Sequence, residues 1–131
     1  NTSWWSRNVE VTGCTINSSN LFKGAIFLRG ISHVRVENNT IRASSPRDIG
    51  MSIIEAGAND ADAGDDVTIR SNKITVVSVG GKMANPVIHI TGANVRVNDD
   101  IATSNQVQAP EGVTTYRGPS HIPPPSEANK K

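Results

Sequence analysis

Cysteine is almost missing from this chain: Cys14 stands alone, so no internal disulfide can brace the fold. Aromatic residues make up only 4% of the 131 residues. A core must therefore be built from Val, Ile, Leu and Ala, of which the β-branched members favour strands. No apolar run approaches the ~18 residues of a membrane span. Charge of one sign is also lacking: 13 basic residues meet 12 acidic ones, for a net charge of +1. That balance gives no general pull toward nucleic acid or an anionic membrane. Heptads and long helical periods are absent, and so are the Asn-Gly pairs that mark tight hairpins. Helical bundles and antiparallel meanders are thereby disfavoured. The sequence also contains no zinc-ligand spacing, phosphate-binding glycine loop, Gly-x-Ser-x-Gly or nucleic-acid motif.

What is present is a repeat. The pattern apolar-x-apolar-x-x-Asn-x-apolar runs through Val34-Arg35-Val36 with Asn39 and Ile41, and again through Val67-Thr68-Ile69 with Asn72 and Ile74. An earlier copy has Val9, Val11, Cys14 and Ile16, and a weaker later one has Val95, Val97, Asp100 and Ala102. Starts at Val9, Val34, Val67 and Val95 give intervals of 25, 33 and 28 residues. A period of this size marks a stacked, solenoid-like fold. Each interval holds two short alternating runs separated by polar turns, so each run buries one face.

Stacking like on like predicts apolar columns Val9–Val34–Val67–Val95, Val11–Val36–Ile69–Val97 and Ile16–Ile41–Ile74–Ala102. The turn column is Cys14–Asn39–Asn72–Asp100, where stacked amides would bond to one another. From the other run come the inward columns Ile26–Ser52–Ile88 and Leu28–Ile54–Ile90. The fold class expected is all-β: a parallel β-helix of about four coils over residues 1–106. Residues 107–131, rich in Pro and Gly, are expected to form a tail. Residues 57–66 read as an inserted loop on one face.

The stretches Gly24-Ala25-Ile26-Phe27-Leu28-Arg29-Gly30 and Val34-Arg35-Val36-Glu37-Asn38-Asn39-Thr40-Ile41 resemble successive strands of the right-handed parallel β-helix superfamily, the pectate-lyase-like fold. The resemblance covers about residues 8–105. It implies right-handed coiling, in line with the general preference of parallel crossovers. Members include polysaccharide lyases, glycoside hydrolases, sugar epimerases and phage tailspike depolymerases, most of them acting on glycans. They carry more coils than these four, with a cap at the N-terminal end. The resemblance thus implies the C-terminal coils of a longer helix, or a chain completed by partners such as two further copies in a trimer. It also implies an extracellular or virion-associated setting.

Chemistry in a solenoid lies on outward columns. On the first run these are Glu10–Arg35–Thr68–Arg96 and Thr12–Glu37–Arg70–Asn98, which read either as ion pairs across rungs or as a polar groove for an acidic glycan. The other run offers Phe27, Ile53 and His89, then Arg29, Glu55 and Thr91. Glu55 and His89 are the candidate proton carriers, with Asp60, Asp62, Asp65 or Asp66 as a second carboxylate. Glycosidases need two such groups, ~5–5.5 Å apart for retention or ~6.5–9.5 Å for inversion. A lyase needs a base and a group that neutralises the uronate, such as Ca²⁺ or Arg. Phe27 and Arg29 are candidate substrate contacts, as are Trp4 and Trp5, which otherwise cover an open core end. No cofactor is required by these readings. Asp60, Asp62 and Asp65 supply hard oxygen ligands for Ca²⁺, without the Gly and Glu positions of an EF-hand loop.

Overall fold

The computed structural model describes residues 7–19, 24–29, 32–57, 66–91 and 95–118. All regular structure there is strand. The first coil contributes β1 (Arg7–Thr12), β2 (Thr15–Ser18) and β3 (Ile26–Arg29), and the second contributes β4 (Ser32–Glu37), β5 (Thr40–Ser45) and β6 (Ile54–Gly57). The third has β7 (Asp66–Arg70), β8 (Lys73–Val79) and β9 (Ile88–Thr91), and the fourth has β10 (Arg96–Val97), β11 (Gln106–Gln108) and β12 (Tyr116–Arg117). Every strand pairs in parallel with its counterpart one coil away, giving three sheets of four strands. The first sheet is β1-β4-β7-β10, the second β2-β5-β8-β11 and the third β3-β6-β9-β12. Each coil therefore carries three strands rather than two runs. The Asn motif spans a corner, with its apolar pair on the first sheet and its last apolar residue on the second.

The core is the inside of this coil. Val34–Val67, Val36–Ile69 and Ile41–Ile74 stack in register, all of them buried, as the alternation requires. The outermost coil is less covered: Val9, Val11 and Ile16 are only half-buried. In the fourth coil the observed register differs from the expected one. Val97, not Val95, lies against Val67, and Val107, not Ala102, lies against Ile74. Residues 98–104 form an extra turn between β10 and β11, which displaces everything after it. Strand pairing also continues past the boundary expected at Gln106, to Arg117.

The corner between the first and second sheets shows why Asn recurs. Gly13, Asn38 and Ser71 adopt left-handed backbone there, with φ of 67°, 59° and 60°. Gly, Asn and other small polar residues tolerate this conformation best. The next residue in each coil enters an amide ladder. Asn72 Oδ1 accepts from the Asn39 backbone N–H at 3.0 Å and from Asn39 Nδ2 at 2.9 Å. Asn105 Oδ1 accepts in the same way from the Asn72 backbone N–H and Nδ2, at 3.0 and 2.8 Å. Asn39 and Asn72 also donate through Nδ2 to the carbonyls of Val11 and Val36. The ladder is thus Cys14–Asn39–Asn72–Asn105, and Asn105 takes the place expected for Asp100. Cys14 joins through its backbone N–H alone, donating to Asn39 Oδ1 at 2.9 Å.

Asn98 ends the first sheet. Its Oδ1 accepts from the Ile69 N–H and its Nδ2 donates to the Ile69 carbonyl, both at 2.9 Å. One side-chain amide replaces the strand that would have continued beyond Val97, so buried backbone groups stay satisfied.

Candidate functional site

The outward face of the third sheet brings the chemistry-bearing residues together. Each strand begins with an inward residue followed by an outward one: Ile26-Phe27, Ile54-Glu55, Ile88-His89 and Tyr116-Arg117. Pairing puts Phe27 against Glu55, Glu55 against His89, and His89 against Arg117. One column thus carries an aromatic ring, a carboxylate, an imidazole and a guanidinium on four successive rungs. Glu55 Oε1 lies 3.9 Å from His89 Nδ1. That is ion-pair range for a protonated imidazole, beyond a direct hydrogen bond. Both are partly shielded, with side-chain exposures of 13% and 23%, whereas Phe27 is 50% exposed for an apolar residue.

This column corrects the expected one. Glu55 was expected beside Arg29 and Thr91, and His89 beside Ile53 and Phe27. The strand is set two residues further along, with Ile54, not Ser52, between Ile26 and Ile88. Ile53 is buried rather than outward. Within β6 a slip of two residues preserves faces, so Glu55 and His89 face outward as expected while their neighbours change; Ile53 lies just before the strand. Arg117 was missed because it lies in the stretch expected to be a tail. The signal available for it was the recurring pair of inward residue and outward functional residue, repeated at Tyr116-Arg117. Tyr116 is its inward half, and burial pushes its hydroxyl up to about 12.

Arg29 is in register with Gly57, one column along, and its side chain lies outside the described residues. Gly57 has φ of 136°, and a Cβ there would collide with the Thr91 carbonyl, so only glycine fits at the end of β6. The Thr91 hydroxyl above it is buried with no hydrogen-bond partner among the described residues. Trp4, Trp5, Asp60, Asp62 and Asp65 lie outside the described residues, and with them the calcium loop. Among the described residues no cluster of three or more His, Cys, Asp or Glu side chains is placed to hold a metal. Asp66, considered as a second carboxylate for Glu55, belongs instead to the first sheet.

There Asp66 Oδ2 lies 2.9 Å from His33 Nδ1, a pair 33 residues apart in sequence. Glu10, His33, Arg35, Asp66 and Thr68 help to line a polar groove of about 330 Å³. Farther along the same face, charges form a chain that starts within β4 and then crosses to the next coils. Arg35 approaches Glu37 at 3.6 Å, Glu37 approaches Arg70 at 4.0 Å, and Arg70 meets Asp100 at 3.2 Å. The Asn98 side-chain amide and the Arg70 guanidinium hold the Asp100 carboxyl below its ordinary 3.8. The expected Glu37–Arg70 neighbours are thus in register.

A family model for the right-handed beta helix region matches residues 3–123. No curated protein and no solved structure matches the chain.

Proposed function

The chain belongs to the right-handed β-helix family, and we propose that it is a carbohydrate-active member whose reactive face is the outward column of the third sheet. The Glu55–His89 pair carries this reading. At 3.9 Å apart, the two groups can both reach one bound sugar. One would then protonate the departing glycosidic oxygen while the other takes a proton from the sugar C5 in elimination, or from the attacking water in hydrolysis, the general acid–base arrangement that breaks a glycosidic bond. Phe27, half exposed one rung below, offers an apolar ring face to a sugar. Arg117, one rung above His89, offers a guanidinium to a sugar carboxylate.

With one carboxylate in the column, the described residues support β-elimination on a uronate more directly than two-carboxylate hydrolysis. Hydrolysis would draw its second carboxylate from the 58–65 segment, with Asp60 as the candidate. Calcium held by Asp60, Asp62 and Asp65 would serve the elimination route by neutralising the uronate. Polysaccharide substrates agree with an extracellular or virion-associated setting. The test is incubation with neutral and uronate-rich polysaccharides, following reducing ends and the ultraviolet absorbance of unsaturated uronate. Glu55→Gln and His89→Gln should each lower turnover by about 10²-fold or more. Unchanged turnover in Glu55→Gln, or no product from either class of polymer, overturns the reading.

The second reading is a non-catalytic shaft or glycan-binding element of a tailspike or fibre, assembled as a homotrimer. The cross-rung charge chain on the first sheet favours it, since such columns also serve subunit contacts. A trimeric mass by light scattering, with no polymer cleaved, would select it.

A further inference from the structure

The second sheet differs from the other two in charge. None of the 12 acidic residues falls on β2, β5, β8 or β11. Apart from the exposed Val77, at the irregularity of β8, its outward side chains are hydroxyls, amides and two cations. Thr15, Thr40, Lys73 and Gln106 form one column, and Asn17, Arg42, Thr75 and Gln108 form the next. Arg42 and Lys73 are exposed, and neither is ion-paired among the described residues. They sit one rung and two residues apart, which places their Cβ atoms roughly 8 Å from each other. Beside Arg42, the side chains of Asn17, Ser18, Ser19 and Ser44 complete a groove of about 410 Å³. On the first sheet, by contrast, the cations Arg35 and Arg70 already face carboxylates.

We propose that the outward face of the second sheet is a docking surface for an anionic linear glycan, bound through its sulfate or carboxylate groups. The two free cations supply the charge complement, and no carboxylate on these four strands repels the ligand. Ser, Thr, Asn and Gln match sugar hydroxyls, being both donors and acceptors. Nucleic acid fits less well: the four strands carry no aromatic side chain on which bases would stack, and two cations are few for a polyphosphate. The proposal does not depend on the Glu55–His89 column, which lies on a different sheet.

The test uses affinity electrophoresis of the full chain through gels containing dextran sulfate, polygalacturonate, neutral dextran or oligo-dT. Retardation is expected with at least one of the two anionic glycans, and which one identifies the recognised group. It should weaken with added salt. The Arg42→Gln, Lys73→Gln double variant should lose about three- to tenfold in affinity, as removal of two exposed charge contacts implies. Arg70→Gln should change it less than about twofold, since that cation already faces a carboxylate. Both positions of the double variant are exposed, and an unaltered melting curve would show that its fold is intact. Failure of both anionic glycans to retard the protein overturns the proposal. So does undiminished binding by the double variant, or equal retardation by neutral dextran or oligo-dT.

Discussion

Two ladders climb this solenoid side by side. One is the buried amide ladder Asn39–Asn72–Asn105 at the corner, and the other is the surface charge chain Arg35–Glu37–Arg70–Asp100 on the first sheet. The amide ladder repeats with the coils, whereas the charge chain runs once, from a pair within β4 across to Arg70 and on to Asp100 in the extra turn. They differ in water. Asn39 and Asn72 are 0% and 1% exposed, while the Arg70 and Asp100 side chains are 42% and 38% exposed. A buried amide that loses a partner has no solvent to turn to, and each orphaned group costs about 1–3 kcal/mol. An exposed ion pair exchanges one well-solvated state for another and contributes about 0–1 kcal/mol. Uncharged amides are therefore the stronger fastener here, and charge is the weaker one.

The largest effect should come from Asn72→Ala. The change removes the acceptor for the Asn39 backbone N–H and the donor to the Val36 carbonyl, leaving buried groups unmatched. A loss of about 3 kcal/mol or more is expected, read from urea unfolding followed by circular dichroism. If Asn72→Ala costs no more than Arg70→Gln, the comparison collapses. Asn98→Ala should come next, at about 2 kcal/mol, because it leaves the Ile69 N–H without its acceptor, while the Ile69 carbonyl keeps Asn105 Nδ2 as a donor. Hydrogen exchange at the Ile69 amide should rise in that variant, and unchanged protection would separate Asn98 from the ladder's rule.

The smallest effect belongs to the charge chain. Arg70→Gln should cost less than about 1 kcal/mol, and the difference should shrink in high salt. Asp100 adds a pH signature. Asn98, and after it Arg70, hold its folded-state value below the ordinary 3.8. Its contribution is therefore present above that value and is lost as pH falls through the lower, folded one. The melting temperature should drop slightly more below that range in the parent than in Asp100→Asn. Equal acid sensitivity would remove Asp100 from the chain.

The sequence was readable where the coils are regular. Asn39, Asn72, Ile41 and Ile74 repeat at 33 residues, and both the columns and the parallel stack follow from them. The expected register fails at two places: by two residues at β6 and β10, and by five at Val107 and Asn105. At Val95 and Val97, the extra turn of residues 98–104 hid the true fourth rung, although stepping another 33 residues from Asn72 reaches Asn105. At residues 52–54, three consecutive buried side chains broke the alternation that would have fixed the register. Since a two-residue slip keeps side chains on their faces, inside and outside were legible for the strands of the first three coils, while Ile53, Asn98 and Ala102 fall on the opposite side from the one expected and rung-to-rung neighbours differ. The pairing of Glu55 with His89 and that of His33 with Asp66 are neighbour relations of this kind. They depend on loop lengths, which hydrophobic periodicity does not encode.

The ladder's constant spacing has a consequence for length. Asn39, Asn72 and Asn105 make the same contacts at the same 33-residue step. A tandem duplication of one such segment would insert a coil whose corner meets both neighbours without redesign. The protein would grow by one strand spacing, about 4.8 Å, per duplication. The amide corner thus acts as a ruler, making extent along the axis a countable property that changes in whole units.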